Sequence, residues 1–175
     1  MSAKPTLGII LQARMGSTRL PGKILKTIGR KSILEHIFFR LSYLEHQVLL
    51  VVATSDCSKD DVVEKYCLDR KVQCFRGSEN NVLDRYYRCA QKYFFKNIVR
   101  MTADNPFTDM EELDRLIDLH IENRNDYSHS FGVMPLGVGV EIFTFSALER
   151  SHREGTAPNH IEHVNEYMQE HPEIF

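Results

Sequence analysis

Apolar positions along the chain fall into short continuous runs that alternate with longer stretches of helical periodicity, the pattern of strands joined by crossover helices. Leu7-Gly8-Ile9-Ile10-Leu11 is an apolar run of strand length, and the Gly-, Ser-, Arg- and Pro-rich stretch after it predicts a buried parallel strand leading into a long loop. From Ser32 to Leu44 the residues Ile33, Leu34, Ile37, Phe38 and Leu41 recur at helical period, with Ser32 and Glu35 in capping-box spacing. A strand follows at 48–53, then a helix from an N-cap at Ser58 through Arg70, and a short strand at 72–75. Residues 79–95 carry Val82, Leu83, Tyr86, Tyr87 and Ala90 on one helical stripe; 98–102 reads as a further strand and 109–123 as a helix with Glu111, Glu112 and Asp114 near its positive end. The order βαβαβαβα predicts an α/β fold with a doubly wound, mostly parallel sheet. The remainder differs: 127–133 and 138–145 read as strands around a Pro135/Gly137/Gly139 turn, followed by helices at 146–154 and 158–169.

Composition narrows this picture. With 175 residues, 42% hydrophobic and 26% charged, the chain reads as one domain over 1–175 able to bury about 70% of its unfolded surface, which excludes disorder and fibrous repeats. No repeat or linker separates 127–175, which is expected to be a substrate or oligomerisation subregion within that domain. Basic and acidic residues nearly cancel, 22 against 24, so charge alone gives no reason to expect nucleic acid or membrane as a partner, and an anionic ligand must be held by a local site. Cys57, Cys67, Cys74 and Cys89 have nine, six and fourteen residues between them, with no CxxC pair and no secretory leader; they read as reduced packing residues of a soluble cytoplasmic protein. The longest apolar runs fall far short of the roughly 20 residues a membrane helix needs.

In open parallel sheets, ligands bind beyond the carboxyl ends of the strands, so chemistry is sought in the loops there. Gln12-Ala13-Arg14-Met15-Gly16-Ser17-Thr18-Arg19-Leu20-Pro21-Gly22-Lys23 follows the first strand and combines glycine backbone with two arginines and a lysine, a composition suited to a polyphosphate. It is no Walker A loop, since five residues rather than four precede the Gly-Lys pair and Ile24 replaces the magnesium-binding hydroxyl; GxGxxG is absent as well. Thr102-Ala103-Asp104-Asn105-Pro106 puts a carboxylate at a strand end, where it can hold Mg²⁺ beside phosphates or serve only the turn. Glu141 lies in an otherwise apolar strand and needs a partner, either a metal or a basic side chain. His160-Ile161-Glu162-His163 lacks a third ligand and is read as structural, and Asp60-Asp61 as helix N-terminal charge.

The string from Gly8 to Lys23 resembles the N-terminal signature of the cytidylyltransferase family that includes CMP-acylneuraminate and CMP-Kdo synthetases, in particular its spore-coat polysaccharide biosynthesis protein F branch. Further similar segments are Gly77-Ser78-Glu79-Asn80-Asn81-Val82-Leu83-Asp84-Arg85-Tyr86-Tyr87, Arg100-Met101-Thr102-Ala103-Asp104-Asn105-Pro106, Val140-Glu141-Ile142-Phe143 with Ala147-Leu148-Glu149, and 160–175. The resemblance implies a nucleotide-diphospho-sugar transferase (Rossmann-like) fold and Mg²⁺-dependent transfer of CMP from CTP to an acidic or phosphorylated sugar, with release of pyrophosphate, in surface polysaccharide biosynthesis. It implies a triphosphate cradle of Arg14, Gly16, Ser17, Arg19 and Lys23, base contacts near Gln12 and Ala13, Arg85 facing the nucleotide or the substrate anion, and Mg²⁺ on Asp104 with Glu141 as second ligand; Arg14, Lys23 and Asp104 carry the catalytic expectation. A homodimer is a candidate assembly. Two departures stand against it: Gly139 occupies a position where the branch usually has an acid, and the branch usually continues past the point matching Phe175 with another strand and helix, so the C-terminal part reads as truncated. The alternatives are a non-catalytic nucleotide-binding or assembly subunit, and a nucleotide-sugar-dependent glycosyltransferase, whose DxD-type metal motif is absent.

Overall fold

The computed structural model describes residues 6–17, 20–135 and 137–175. In chain order the elements are β1 (Leu7–Gln12), β2 (Thr27–Ile28), β3 (Lys31–Ser32), α1 (Ile33–Leu41), β4 (Leu49–Ser55), α2 (Asp61–Asp69), β5 (Gln73–Gly77), α3 (Val82–Tyr93), β6 (Asn97–Thr102), α4 (Met110–Asn123), β7 (Tyr127–His129), β8 (Glu141–Thr144), α5 (Phe145–Glu154), α6 (Pro158–Glu162) and α7 (Glu166–Glu170), with 3₁₀ turns at Lys23–Leu25 and Ser58–Asp60. The main sheet has six strands in the order β5-β4-β1-β6-β8-β7. β5, β4, β1 and β6 are parallel, whereas β8 and β7 are antiparallel additions beyond β6. The doubly wound, mostly parallel expectation is therefore met.

Both faces of the sheet are covered, which is why β1 reads as a continuous apolar run rather than an alternating one. Ile9 and Leu11 point into a core shared with Leu34 and Ile37 of α1, Val63 of α2 and Leu113 and Ile117 of α4. Ile10, between them, points the other way, into a core with Leu83 and Tyr86 of α3, Leu148 of α5 and Val164. Gly8 marks a close approach on the same strand: a Cβ there would lie 2.3 Å from the Phe95 ring, so the ring takes the space a side chain would need.

Local chemistry sets the ends of the helices. Ser32, Asn81 and Asp109 cap α1, α3 and α4 by accepting the backbone N–H of Glu35, Asp84 and Glu112. Three sequence expectations change. Residues 27–32 form the small β2–β3 hairpin, turning at Gly29 with φ 64°, rather than continuing the loop. The strands expected over 127–133 and 138–145 shorten to β7 and β8. The helix expected over 158–169 breaks into α6 and α7, because His163 adopts an extended conformation that sends Val164 into the core. Among the described residues no helix is long and apolar enough to cross a membrane.

Candidate active site

At the carboxyl end of the parallel strands the loop after β1 folds back on itself. Ala13 donates its N–H to Ala53 and Ala103 donates to Gln12, so the loop leaves the sheet tied to β4 and to the loop after β6. Ser17 and Gly22 both donate to the Met15 carbonyl, at 2.9 and 3.1 Å. Gly22 adopts φ 67°, a left-handed conformation that glycine supplies without a Cβ penalty, and so opens the 3₁₀ turn carrying Lys23. The chain is thereby reversed and Lys23 is returned over the end of β6, where Nζ donates to Asp104 Oδ2 at 2.5 Å.

Asp60 shapes this loop from below. It gives α2 no side-chain cap; instead its carboxylate is wholly buried, accepting the Met15 N–H at 2.7 Å on Oδ1 and the Ser55 N–H and hydroxyl on Oδ2. Burial raises the proton affinity of the carboxyl, but the donors from Ser55 and Met15 outweigh it and hold the pKa below the usual carboxylate value. Its reading as helix-terminal charge is thus corrected. Two of its donors come from Ser55, five residues earlier, but the one that ties it to the loop after β1, Met15, is 45 residues away.

The cleft above these loops has a volume of about 350 Å³. It is lined by Gln12, Arg14, Gly16, Ser17 and Lys23 of the loop after β1, by Thr102 and Asp104 at and just past the end of β6, and by Glu162 and His163 from the end of α6. The structure therefore brings together Gln12, Arg14, Gly16, Ser17, Lys23 and Asp104 as the sequence expects. Ala13 is buried beside them, and Arg19 lies outside the described residues. Gln12 Oε1 is buried without a hydrogen-bond partner at the cleft floor. The Asp104 side chain keeps 45% of its exposure. Its pKa is lowered: burial opposes ionisation, and the hydrogen bonds from Lys23 and Thr102 more than reverse that.

Two expected site residues are placed elsewhere. Glu141 is 1% exposed, with Oε1 on Arg100 Nη1 at 2.5 Å and Oε2 accepting from the Tyr127 hydroxyl at 2.8 Å. Both oxygens are engaged, which corrects its reading as a second metal ligand: its partner is a basic side chain. Arg85 is fully buried, donates from Nη1 to the Ser78 carbonyl at 2.5 Å, and is absent from the cleft wall. Burial lowers its pKa. The stripe of α3 that buries Val82, Leu83, Tyr86, Cys89 and Ala90 also takes in Arg85, which corrects its expected position facing the nucleotide.

The cleft is also lined by Arg100, which sequence reasoning did not single out, and by Glu162 and His163, which it read as structural. Arg100 reaches the cleft from β6 and sits directly opposite Glu141 in the antiparallel register with β8. A signal existed, since each is an isolated charge in an apolar strand. His160, by contrast, is buried and bonded through Nε2 to Glu170 Oε2 at 2.7 Å, which leaves only His163 of that pair at the cleft. At Gly139 a Cβ would meet the Phe131 ring at 3.0 Å and the Ser130 hydroxyl at 3.3 Å, so the acid that the branch usually carries there would require these side chains to shift.

Residues 8–175 match the sequence family described as Cytidylyltransferase. The chain belongs to the cytidylyltransferase family. This cytidylyltransferase is 37% identical over 171 residues to the spore coat polysaccharide biosynthesis protein SpsF of Bacillus subtilis (strain 168), covering 95% of this chain and 71% of that protein. It superposes with a TM-score of 0.91 and 37% identity on a cytidylyltransferase from Leptospira borgpetersenii serovar Hardjo-bovis (strain JB197), over 97% of this chain and 73% of that one. A CMP:2-keto-3-deoxy-manno-octonic acid synthetase solved with CTP has the same fold, with a TM-score of 0.72 at 14% identity over 96% of this chain and 86% of the other. The fold and the nucleotidyltransferase class of this cytidylyltransferase follow from these matches.

Proposed function

We propose that this protein transfers CMP from CTP to an acidic or phosphorylated sugar and releases pyrophosphate, with Mg²⁺ as cofactor, in the cytoplasmic synthesis of a surface polysaccharide. The observation that carries the reading is the meeting of Lys23 and Asp104 across a cleft that also exposes Arg14 and the Gly16-Ser17 backbone. Arg14 and Lys23 would bind the triphosphate, Arg14 as a forked donor and Lys23 as a point charge, with Ser17 and the loop backbone adding neutral contacts. Attack of a sugar oxygen on the α-phosphorus raises charge on the phosphate oxygens, and fixed cations at that place lower the barrier. Gln12, whose buried Oε1 lacks a partner, is suited to accept from the amino group of a cytosine.

The acid set fits magnesium in one way. Among the described residues no group of three or more His, Cys, Asp or Glu side chains is placed to hold a metal alone. A single carboxylate that shares the ion with substrate phosphates is an ordinary magnesium arrangement, and Asp104, half-exposed at the cleft beside Lys23, is the carboxylate next to the loop that would hold the phosphates. Bound there, Mg²⁺ would neutralise phosphate charge. Asp104 would hold it once Lys23 turns from Asp104 to phosphate. Glu162 and His163 place residues of 127–175 at the cleft rim, which supports that stretch as the acceptor side.

The name of the Bacillus relative supports the polysaccharide setting, and the synthetase of the same fold solved with CTP supports the nucleotide. The test is pyrophosphate release from CTP offered with acidic and phosphorylated sugars, with and without Mg²⁺, beside calorimetric CTP binding. Mg²⁺-dependent release with at least one sugar is expected, and Lys23→Ala should weaken CTP binding by about 1.5 to 3 kcal/mol. CTP binding without release from any sugar of either class would favour a non-catalytic nucleotide-binding subunit.

A further inference from the structure

One cation beside the cleft has no part in the reading above. Lys59, in the 3₁₀ turn after β4, lies against the glycine of the phosphate-side loop: a Cβ placed at Gly16 would be 3.3 Å from both Lys59 Cε and Nζ. The next residue, Asp60, is bonded to Met15, so the backbone carrying Lys59 is pinned to the same loop. The ammonium group is ion-paired with Glu79, which lies on the loop between β5 and α3. Side-chain exposures of 45% and 33% leave both partners open to solvent, and pairs of this kind contribute little and exchange readily.

The other cations here differ in their freedom. Arg100 is half-buried and paired with Glu141, and Lys23 faces Asp104, so part of the positive charge at the cleft is already matched by carboxylates. A triphosphate carries several negative charges and brings a denser anion to Gly16 than a single carboxylate on a neighbouring loop. We propose that Lys59 is a phosphate-binding residue kept in reserve by Glu79, and that an entering triphosphate takes Lys59 from Glu79. This rests on the reading that the cleft binds a nucleoside triphosphate, and adds to it a cation from a second loop and an internal competitor. Glu79 then limits affinity: without it, Lys59 is already free.

The experiment is calorimetric binding of CTP, CMP and inorganic triphosphate to the full chain and to Lys59→Gln, Lys59→Arg, Glu79→Gln and the double variant, with thermal melts to establish that each is folded. Lys59→Gln is expected to weaken CTP and triphosphate about 5- to 20-fold and CMP by less than about 2-fold, and Lys59→Arg to retain most of the affinity. Glu79→Gln is expected to tighten CTP about 2- to 5-fold, an effect that disappears in the double variant. High salt should reduce the gap between the wild type and Lys59→Gln. Wild-type CTP affinity in Lys59→Gln, equal losses for CTP and CMP, or weaker binding in Glu79→Gln each overturns the role of Lys59 while leaving the nucleotide reading intact. A wild type that binds neither CTP nor triphosphate overturns both.

Discussion

Replacing Asp60 tests whether the loop after β1 is built from beneath. The carboxylate accepts three donors, the Met15 N–H and the N–H and hydroxyl of Ser55, and is fully buried. Hydrogen bonds to a charged acceptor contribute about 1.5 to 3 kcal/mol each and do not add fully, so Asp60→Ala should cost about 3 to 5 kcal/mol. Asp60→Asn keeps an oxygen for Met15 but turns an amide N–H₂ towards the Ser55 N–H, and should cost about 2 to 3 kcal/mol. For a chain of 175 residues each kcal/mol is roughly 2 to 4 °C, so the asparagine variant should melt roughly 4 to 12 °C lower by circular dichroism. Because the Asp60 pKa is lower in the folded state than its ordinary value of 3.8, its contribution is present above that value and is lost as pH falls through the folded-state pKa. The wild type should therefore lose stability below roughly pH 4, and Asp60→Asn should lose less over that interval. A released Met15 also displaces the backbone that leads to Gly16, so CTP affinity should drop at least about tenfold at a temperature where the variant is folded. A variant that melts within about 1 °C of the wild type and binds CTP equally would refute the reasoning and return Asp60 to a helix-terminal charge.

Glu141→Gln should destabilise by about 3 to 5 kcal/mol, since it strands the buried Arg100, yet leave the Mg²⁺ dependence of CTP binding in place; loss of that dependence with an unchanged melt would restore the metal-ligand role. Gly8→Ala should cost about 1 to 3 kcal/mol by driving a methyl group into the Phe95 ring, and Phe95→Leu in the same chain should recover part of the loss in urea denaturation. His46 lies 2.6 Å from Asp114 and 2.9 Å from Asp118; burial opposes its charging, but the two carboxylates raise its pKa overall. Its stabilisation is thus complete below about pH 6.5 and fades as pH rises through the raised value, so the wild type should lose a few tenths of a kcal/mol there that His46→Gln does not; the exposed partner limits the size.

The legible part of the fold is the part where one residue type meets one environment. β1, β4 and β6 are apolar because both faces of the sheet are covered, and Ser32 and Asp109 cap helices by contacts three residues long. Residues 130–140 were harder to read: apolar Phe131 and Val133 suggest a strand, yet they are exposed at 39% and 82% in a turn. In the site, the loop from Gln12 to Lys23 and the acid Asp104 were each legible as loop chemistry at a strand end. Their contact spans 81 residues and follows from β1 and β6 being neighbours. Arg100 and Glu141 were legible only as two unexplained charges, because nothing local says that β8 returns antiparallel beside β6 in a register that sets them opposite.

Three ion pairs among the described residues around the site differ in what each can do. Arg100 and Glu141 are enclosed, at 16% and 2% side-chain exposure, so parting them would leave an uncompensated buried charge. The pair is a fixed piece of wall, and Tyr127 completes it by donating to the second oxygen. Lys23 with Asp104 and Lys59 with Glu79 are open to water, where an ion pair is worth about 0 to 1 kcal/mol and a polyvalent anion is a stronger partner than one carboxylate. Those two pairs hold Lys23, at the end of the loop, and Lys59, beside Gly16, in place, and either cation can change partner at little cost. Burial, rather than the identity of the charges, therefore decides which of these paired acids can change partner: Asp104 and Glu79 can, and Glu141 cannot.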